Sequence, residues 1–142
     1  MLFYAPLPGE LDLWPLAADA LAGGKTVALP RFVPARRSYI ACQVQDLERD
    51  LEPGHFGIRE PGARCPPILL NGLDLLLVPG VAFDLHGRRL GRGKGFYDQL
   101  LAGVRGLKCG VAFEQQLVDA VPAGRNDVCM NCILTPTRWV QW

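Results

Sequence analysis

The sequence predicts an α/β domain built on a mainly parallel sheet flanked by helices, and three observations carry that expectation. Short apolar runs alternate with segments of helical spacing along the chain. At 142 residues and 49% hydrophobic content, the chain has the length of one domain and the apolar mass to fill its core. A loop rich in glycine and cations, residues 87–95, follows an apolar run and precedes a helical one, which is where open parallel sheets hold their ligands.

The elements follow in order. Leu2 to Ala5 reads as a first strand. Leu13, Leu16, Ala17, Ala20 and Leu21 then place an apolar stripe on a helix that stops at Gly23-Gly24. Thr26 to Leu29 is the next strand. Ser38 to Val44 alternates, with Tyr39, Ala41 and Gln43 opposite Ile40, Cys42 and Val44, so one side is expected to be more exposed. From Leu51 to Gly72 proline and glycine are frequent, and a stretch too long for an ordinary connector is either a functional loop or includes short irregular structure, with function expected there. Leu73 to Val78 is a buried strand closed by Pro79-Gly80. Phe96, Tyr97, Leu100, Leu101 and Val104 recur at helical spacing, which predicts a helix over 95–103. A strand from Leu107 to Ala112, a short helix near Glu114 to Val118 and a strand from Cys132 to Leu134 complete the alternation.

A net charge of +1 gives no overall attraction to nucleic acid, so the cations Arg88, Arg89, Arg92 and Lys94 are a local feature and no nucleic-acid partner is expected. No apolar run approaches the roughly 20 residues that span a bilayer. Five cysteines make an odd count with no signal peptide ahead of them, which argues against a disulfide framework and for a reducing, cytoplasmic setting. Cys129-Met130-Asn131-Cys132 has the spacing of metal and redox sites, but His55 and His86 are isolated and two further ligands are wanting, so these cysteines read as small hydrophobes.

The order strand, glycine loop, helix suits an anion. Glycines let backbone N–H groups approach phosphate oxygens, and the cations add directed donors. The loop is not a Walker loop, since Gly95 follows Lys94 where a hydroxyl is required, and the even spacing of Gly91, Gly93 and Gly95 does not fit a dinucleotide fingerprint. An anion cradle and a solvated basic turn both remain open on this chemistry. Asp98 and Asp127 have the hard oxygens magnesium prefers, though Asp98 equally suits a helix first turn and Asp127 a turn cap. Glu10 alone reads as a carboxylate at a helix start. Tyr39, Phe56 and Trp14 could stack on a flat ring, or simply fill core.

Pro79-Gly80-Val81-Ala82-Phe83-Asp84, Gly87, then Arg89-Leu90-Gly91, Gly93 and Gly95-Phe96-Tyr97-Asp98 resemble the signature of the 5-formyltetrahydrofolate cyclo-ligase (5,10-methenyltetrahydrofolate synthetase) family. Val27 to Arg31, Gly57 to Pro61, Val121-Pro122, Asp127 and Thr135 agree with it in order, so the resemblance spans nearly the whole chain. Phe96 and Asn131 stand where that family often has tyrosine and aspartate, and the helical segment that usually precedes the first strand, with a lysine and an arginine that help hold ATP, is not in this sequence.

The resemblance implies a single domain over 1–142 with a fold like that of NagB, ribose-5-phosphate isomerase and CoA transferase. It implies an ATP-dependent carbon–nitrogen ligase acting on 5-formyltetrahydrofolate with Mg2+, expected as a monomer; a non-catalytic folate-binding remnant is the alternative. ATP would be held by Arg89, Leu90, Gly91, Arg92, Gly93, Lys94, Gly95, Phe96 and Tyr97. The folate would contact Ala5, Glu10, Arg92, Gly93, Lys94, Gly95 and Phe96. Arg89 and Lys94 would stabilise the transferring phosphoryl group, and Asp98 and Asp127 would hold the metal.

Overall fold

The computed structural model describes residues 1–142. Its two helices are α1 (Trp14–Ala22) and α2 (Phe96–Leu101). Its strands, in chain order, are β1 (Val27–Val33), β2 (Ser38–Val44), β3 (Leu51–Pro53), β4 (Arg59–Pro61), β5 (Leu75–Pro79), β6 (Ala82–Asp84), β7 (Arg89–Leu90), β8 (Leu107–Val111), β9 (Leu117–Val118), β10 (Cys132–Leu134) and β11 (Trp139–Gln141). Leu2, expected inside a strand, makes single parallel bridges to Ala28 and Leu76 and thereby joins β1 to β5. The central pairings β5–β8 and β8–β10 are parallel, while β2 on β1 and β11 on β10 are antiparallel.

The two-residue period of the strands sorts their side chains into two cores. Val27, Leu29, Leu77, Cys109 and Cys132 join Leu13 and Ala17 of the α1 segment in one cluster. Their alternating neighbours Ala28, Leu76, Val78 and Ile133 join Leu100 and Leu101 of α2 and the fully buried Phe83 in the other. Each helix thus covers one set.

Several expectations change in the tertiary structure. Leu16 lies off the stripe of α1 and is 41% exposed, because a nine-residue helix touches the sheet along one narrow line, marked by Leu13 and Ala17. In β2 the Tyr39, Ala41 and Gln43 side is the more exposed one, as its alternation predicts, but both Ala41 and Cys42 are buried, one in each core, so its middle has no exposed face. Over 51–72 the chain is structured: β3 and β4 pair as a hairpin, with 3-10 turns at His55–Gly57 and Leu70–Gly72. Glu114–Gln116 is a 3-10 turn that runs into β9, in place of the expected short helix, because β9 pairs with β6. No helix is long and apolar enough to cross a membrane.

Candidate active site

The loop after β5 starts as a hairpin that the sequence did not disclose, with Ala82 opposite Leu90 and Phe83 opposite Arg89. Asp84 organises its turn. Its buried Oδ1 accepts the N–H groups of His86 at 2.9 Å and Arg88 at 3.0 Å, and its Oδ2 accepts that of Val121 at 3.0 Å. Burial alone would push this carboxyl up, but the three backbone donors outweigh it and hold it below the usual carboxylate range. Arg88 reaches toward the same acid, at 3.9 Å, and is the one cation of the loop that does not line the cavity.

Gly93 and Gly95 carry the chain from β7 into α2 with φ of +82° and +65°, and no heavy atom stands within 4 Å of where a Cβ would lie on either. Glycine is needed there for conformation, and the space beside the backbone stays open. The cations beside it are not equivalent. Arg89 has a side chain only 4% exposed, donates from Nη2 to Asp98 Oδ2 at 3.0 Å, and leaves its buried Nε without a partner. Arg92 lies 3.6 Å from Glu10 Oε1. Lys94 Nζ stands 4.2 Å from the ring centre of Phe56 and 5.9 Å from that of Phe96, close enough for cation–π attraction.

These groups share one cavity of about 580 Å³. Ala5, Glu10, Asp127 and every residue from Arg89 to Asp98 line it, so residues far apart in sequence meet on one surface. Glu10 lies ahead of α1 and not within it; its Oε2 accepts the Leu7 N–H at 2.9 Å, which fixes its direction. Tyr39 and Phe56 are also in the wall, whereas Trp14 is outside it, packed under the guanidinium of Arg59 at 5.4 Å. Sequence reasoning missed the part played by Glu60, Phe32 and His55. Phe32 stacks on His55 at 4.4 Å and meets Tyr39, Phe56 and Phe96 at 5.3 to 5.7 Å, forming an aromatic mouth. Phe56 adopts φ +60°, a left-handed conformation costly for a bulky residue, and is 47% exposed at that mouth.

The acids Asp98 and Asp127 in the lining are partly engaged. Asp98 Oδ1 accepts the Val128 N–H at 3.1 Å, and Asp127 Oδ2 accepts that of Gly124 at 2.6 Å. No group of three or more His, Cys, Asp or Glu side chains is placed so that it could hold a metal ion by itself. Two carboxylates on one wall are a donor set that fits magnesium when phosphate oxygens supply the other ligands, since each carboxylate retains further lone pairs.

The model of the 5-formyltetrahydrofolate cyclo-ligase family matches residues 1–136. The 5-formyltetrahydrofolate cyclo-ligase of Escherichia coli K12 is 34% identical over 138 residues, covering 94% of this chain and 76% of its own length. The mouse enzyme of the same name is 34% identical over 142 residues, with coverage of 92% and 70%. The chain belongs to the 5-formyltetrahydrofolate cyclo-ligase family. Among solved structures, that of the Aquifex aeolicus 5,10-methenyltetrahydrofolate synthetase superposes with a TM-score of 0.85 at 36% identity, covering 99% of this chain and 70% of that one. The Mycoplasma pneumoniae synthetase, at 21% identity and a TM-score of 0.70, shares the fold. The cavity described above therefore lies in a family named for a ring-closing ligation of 5-formyltetrahydrofolate, and its cations, acids and aromatics can be read against that chemistry.

Proposed function

We propose that this protein closes 5-formyltetrahydrofolate to 5,10-methenyltetrahydrofolate at the expense of ATP, releasing ADP and phosphate. The observation that supports this most is the single cavity with two chemistries: glycine backbone, Arg92 and Lys94 beside Asp98 and Asp127, continuous with a mouth of Tyr39, Phe56 and Phe96 near Glu10. One ligand with phosphates and one with flat rings would meet where the two parts join.

In the proposed reaction the formyl oxygen attacks the γ-phosphorus and ADP departs. N10 then bonds to the activated carbon and loses its proton, and the carbon–oxygen bond breaks with release of phosphate. The substrate supplies both nucleophiles, so the protein needs only to position the reactants and stabilise charge. Lys94, against the Phe56 ring, and Arg89, held in the wall by Asp98, would offset charge on the transferring group. Glu10 would accept hydrogen bonds from the pterin edge, since Leu7 already orients it. Leu90, Gly91, Gly93, Gly95 and Tyr97 would form the backbone wall against ATP, and Ala5 and Phe96 would bound the folate. Magnesium, when bound by Asp98 and Asp127 with phosphate oxygens, would neutralise charge on the nucleotide.

The test is the near-ultraviolet absorbance of the methenyl product, followed with 5-formyltetrahydrofolate and magnesium ATP and with Lys94→Met as control. ATP-dependent absorbance that falls at least tenfold in the control is expected. Folate binding without ATP-dependent product would overturn the ligase reading in favour of a binding module.

A further inference from the structure

Glu60 is a wall residue of the cavity that the reaction above does not use. It sits in β4, is 6% exposed, and its Oε2 accepts the Phe32 N–H at 3.3 Å, while Oε1 is buried with no hydrogen-bond partner in the protein. A buried carboxylate oxygen without a donor is costly and calls for an explanation. No cation forms an ion pair with it, and Arg31, whose charge acts on it, spends its Nη1 on the carbonyls of Gly62 at 2.8 Å and Cys65 at 3.4 Å. The packing nonetheless protects this position. A Cβ on Gly54 would stand 2.4 Å from Glu60 Cγ, so glycine there makes room for the acid. Burial pushes the Glu60 carboxyl above its usual value, against the pull of the Phe32 and His55 backbone N–H groups, of which only that of Phe32 makes a hydrogen bond to it. By contrast, Glu10 already has Leu7 on one oxygen and Arg92 near the other.

We propose that Glu60 is a second folate-binding acid, whose Oε1 accepts a hydrogen bond from an N–H group of the bound folate. The inference rests on the proposed folate reading. It adds a residue on the aromatic side of the cavity, beside Tyr39 and Phe56, that would select a ligand with an N–H edge over one with only acceptors.

Glu60→Gln tests it, because a carboxylate offers two acceptor oxygens and an amide one. Glutamine can serve the Phe32 N–H or the ligand, not both. Titration calorimetry of 5-formyltetrahydrofolate and, separately, of ATP into the full chain is the measurement, with the melting temperature recorded. Glu60→Gln is expected to weaken folate binding about ten- to a hundredfold, as for a hydrogen bond to a charged group, and to leave ATP binding within about twofold. Gly54→Ala keeps both oxygens but displaces the carboxyl, and is expected to weaken folate by the same order. Folate binding unchanged in either variant, or folate and ATP weakened equally, overturns the role of Glu60 while leaving the ligase reading intact. A wild-type chain that binds no folate overturns both.

Discussion

Asp98→Asn should destabilise the free protein, with neither ATP nor magnesium present, because Asp98 is the ionic partner of a buried arginine. Arg89 is 4% exposed and its Nε has no acceptor, so removing the Asp98 charge strands a guanidinium that has little access to water. Breaking a buried pair from one side costs about 3–5 kcal/mol. Asp98 is 21% exposed, and an asparagine could still accept from Val128, so about 2–3 kcal/mol is the expected loss here. For 142 residues the unfolding entropy is about 0.3 kcal/mol/K, which converts the loss to a fall of about 7–10 °C in Tm. Arg89→Met should cost less, since Asp98 can turn to water. The double variant should be more stable than the two separate losses imply, by about 1–2 kcal/mol. Thermal unfolding of the four proteins is the assay. A shift under about 2 °C for Asp98→Asn, or strict additivity in the cycle, would refute the argument that this ion pair holds the wall of the cavity.

Other expectations follow from the same geometry. Gly95→Ala places a side chain at φ +65° in open space and should cost about 1 kcal/mol, whereas Gly87→Ala should cost clearly more, since its Cβ would meet Met130 O at 2.5 Å and the Trp142 ring; urea midpoints of the two variants check the order. Asp84→Asn leaves at least one of three backbone N–H groups facing an amide donor, and a loss of about 2 kcal/mol or more in urea unfolding is expected. Glu114 accepts from Thr135, Thr137 and Arg138, which hold its carboxyl down at about 2 against an ordinary value of 4.5. Its contribution is therefore complete above about pH 4.5 and disappears as pH falls toward 2, so Glu114→Gln should flatten the fall of stability across that window. Denaturant midpoints from pH 5.5 to 2.5 would decide; parallel curves for variant and wild type would rule the network out as a source of acid sensitivity.

The resemblance read from residues 79–98 led to the right family, and the long elements were legible by themselves. Ser38 to Val44 is a strand with the bounds its alternation predicts, and the helix beginning at Phe96 stands where apolar spacing puts it. Period is readable when several repeats are present. Strands β6, β7 and β9 have two or three residues, too few to show one, and exist because they pair with each other. The glycines and cations of Arg89 to Asp98 and the carboxylates Asp98 and Asp127 were visible as types suited to phosphates or metal, because charge and glycine content are local properties of the sequence, whereas Glu10 read as a helix-start carboxylate and was tied to a pterin by the resemblance alone. The state of these groups was not visible. Arg89 is a free cation in the sequence and half of a buried pair in the fold, and Trp14 is one aromatic among several until packing puts it outside the cavity. Glu60 was one acid in a stretch where function was expected with no residue singled out for it, until burial left its Oε1 without a donor. Residue type and spacing determined which chemistry this chain carries; which of those groups face the ligand, and which face one another, depends on contacts between residues distant in sequence, and these exist only once the sheet has closed.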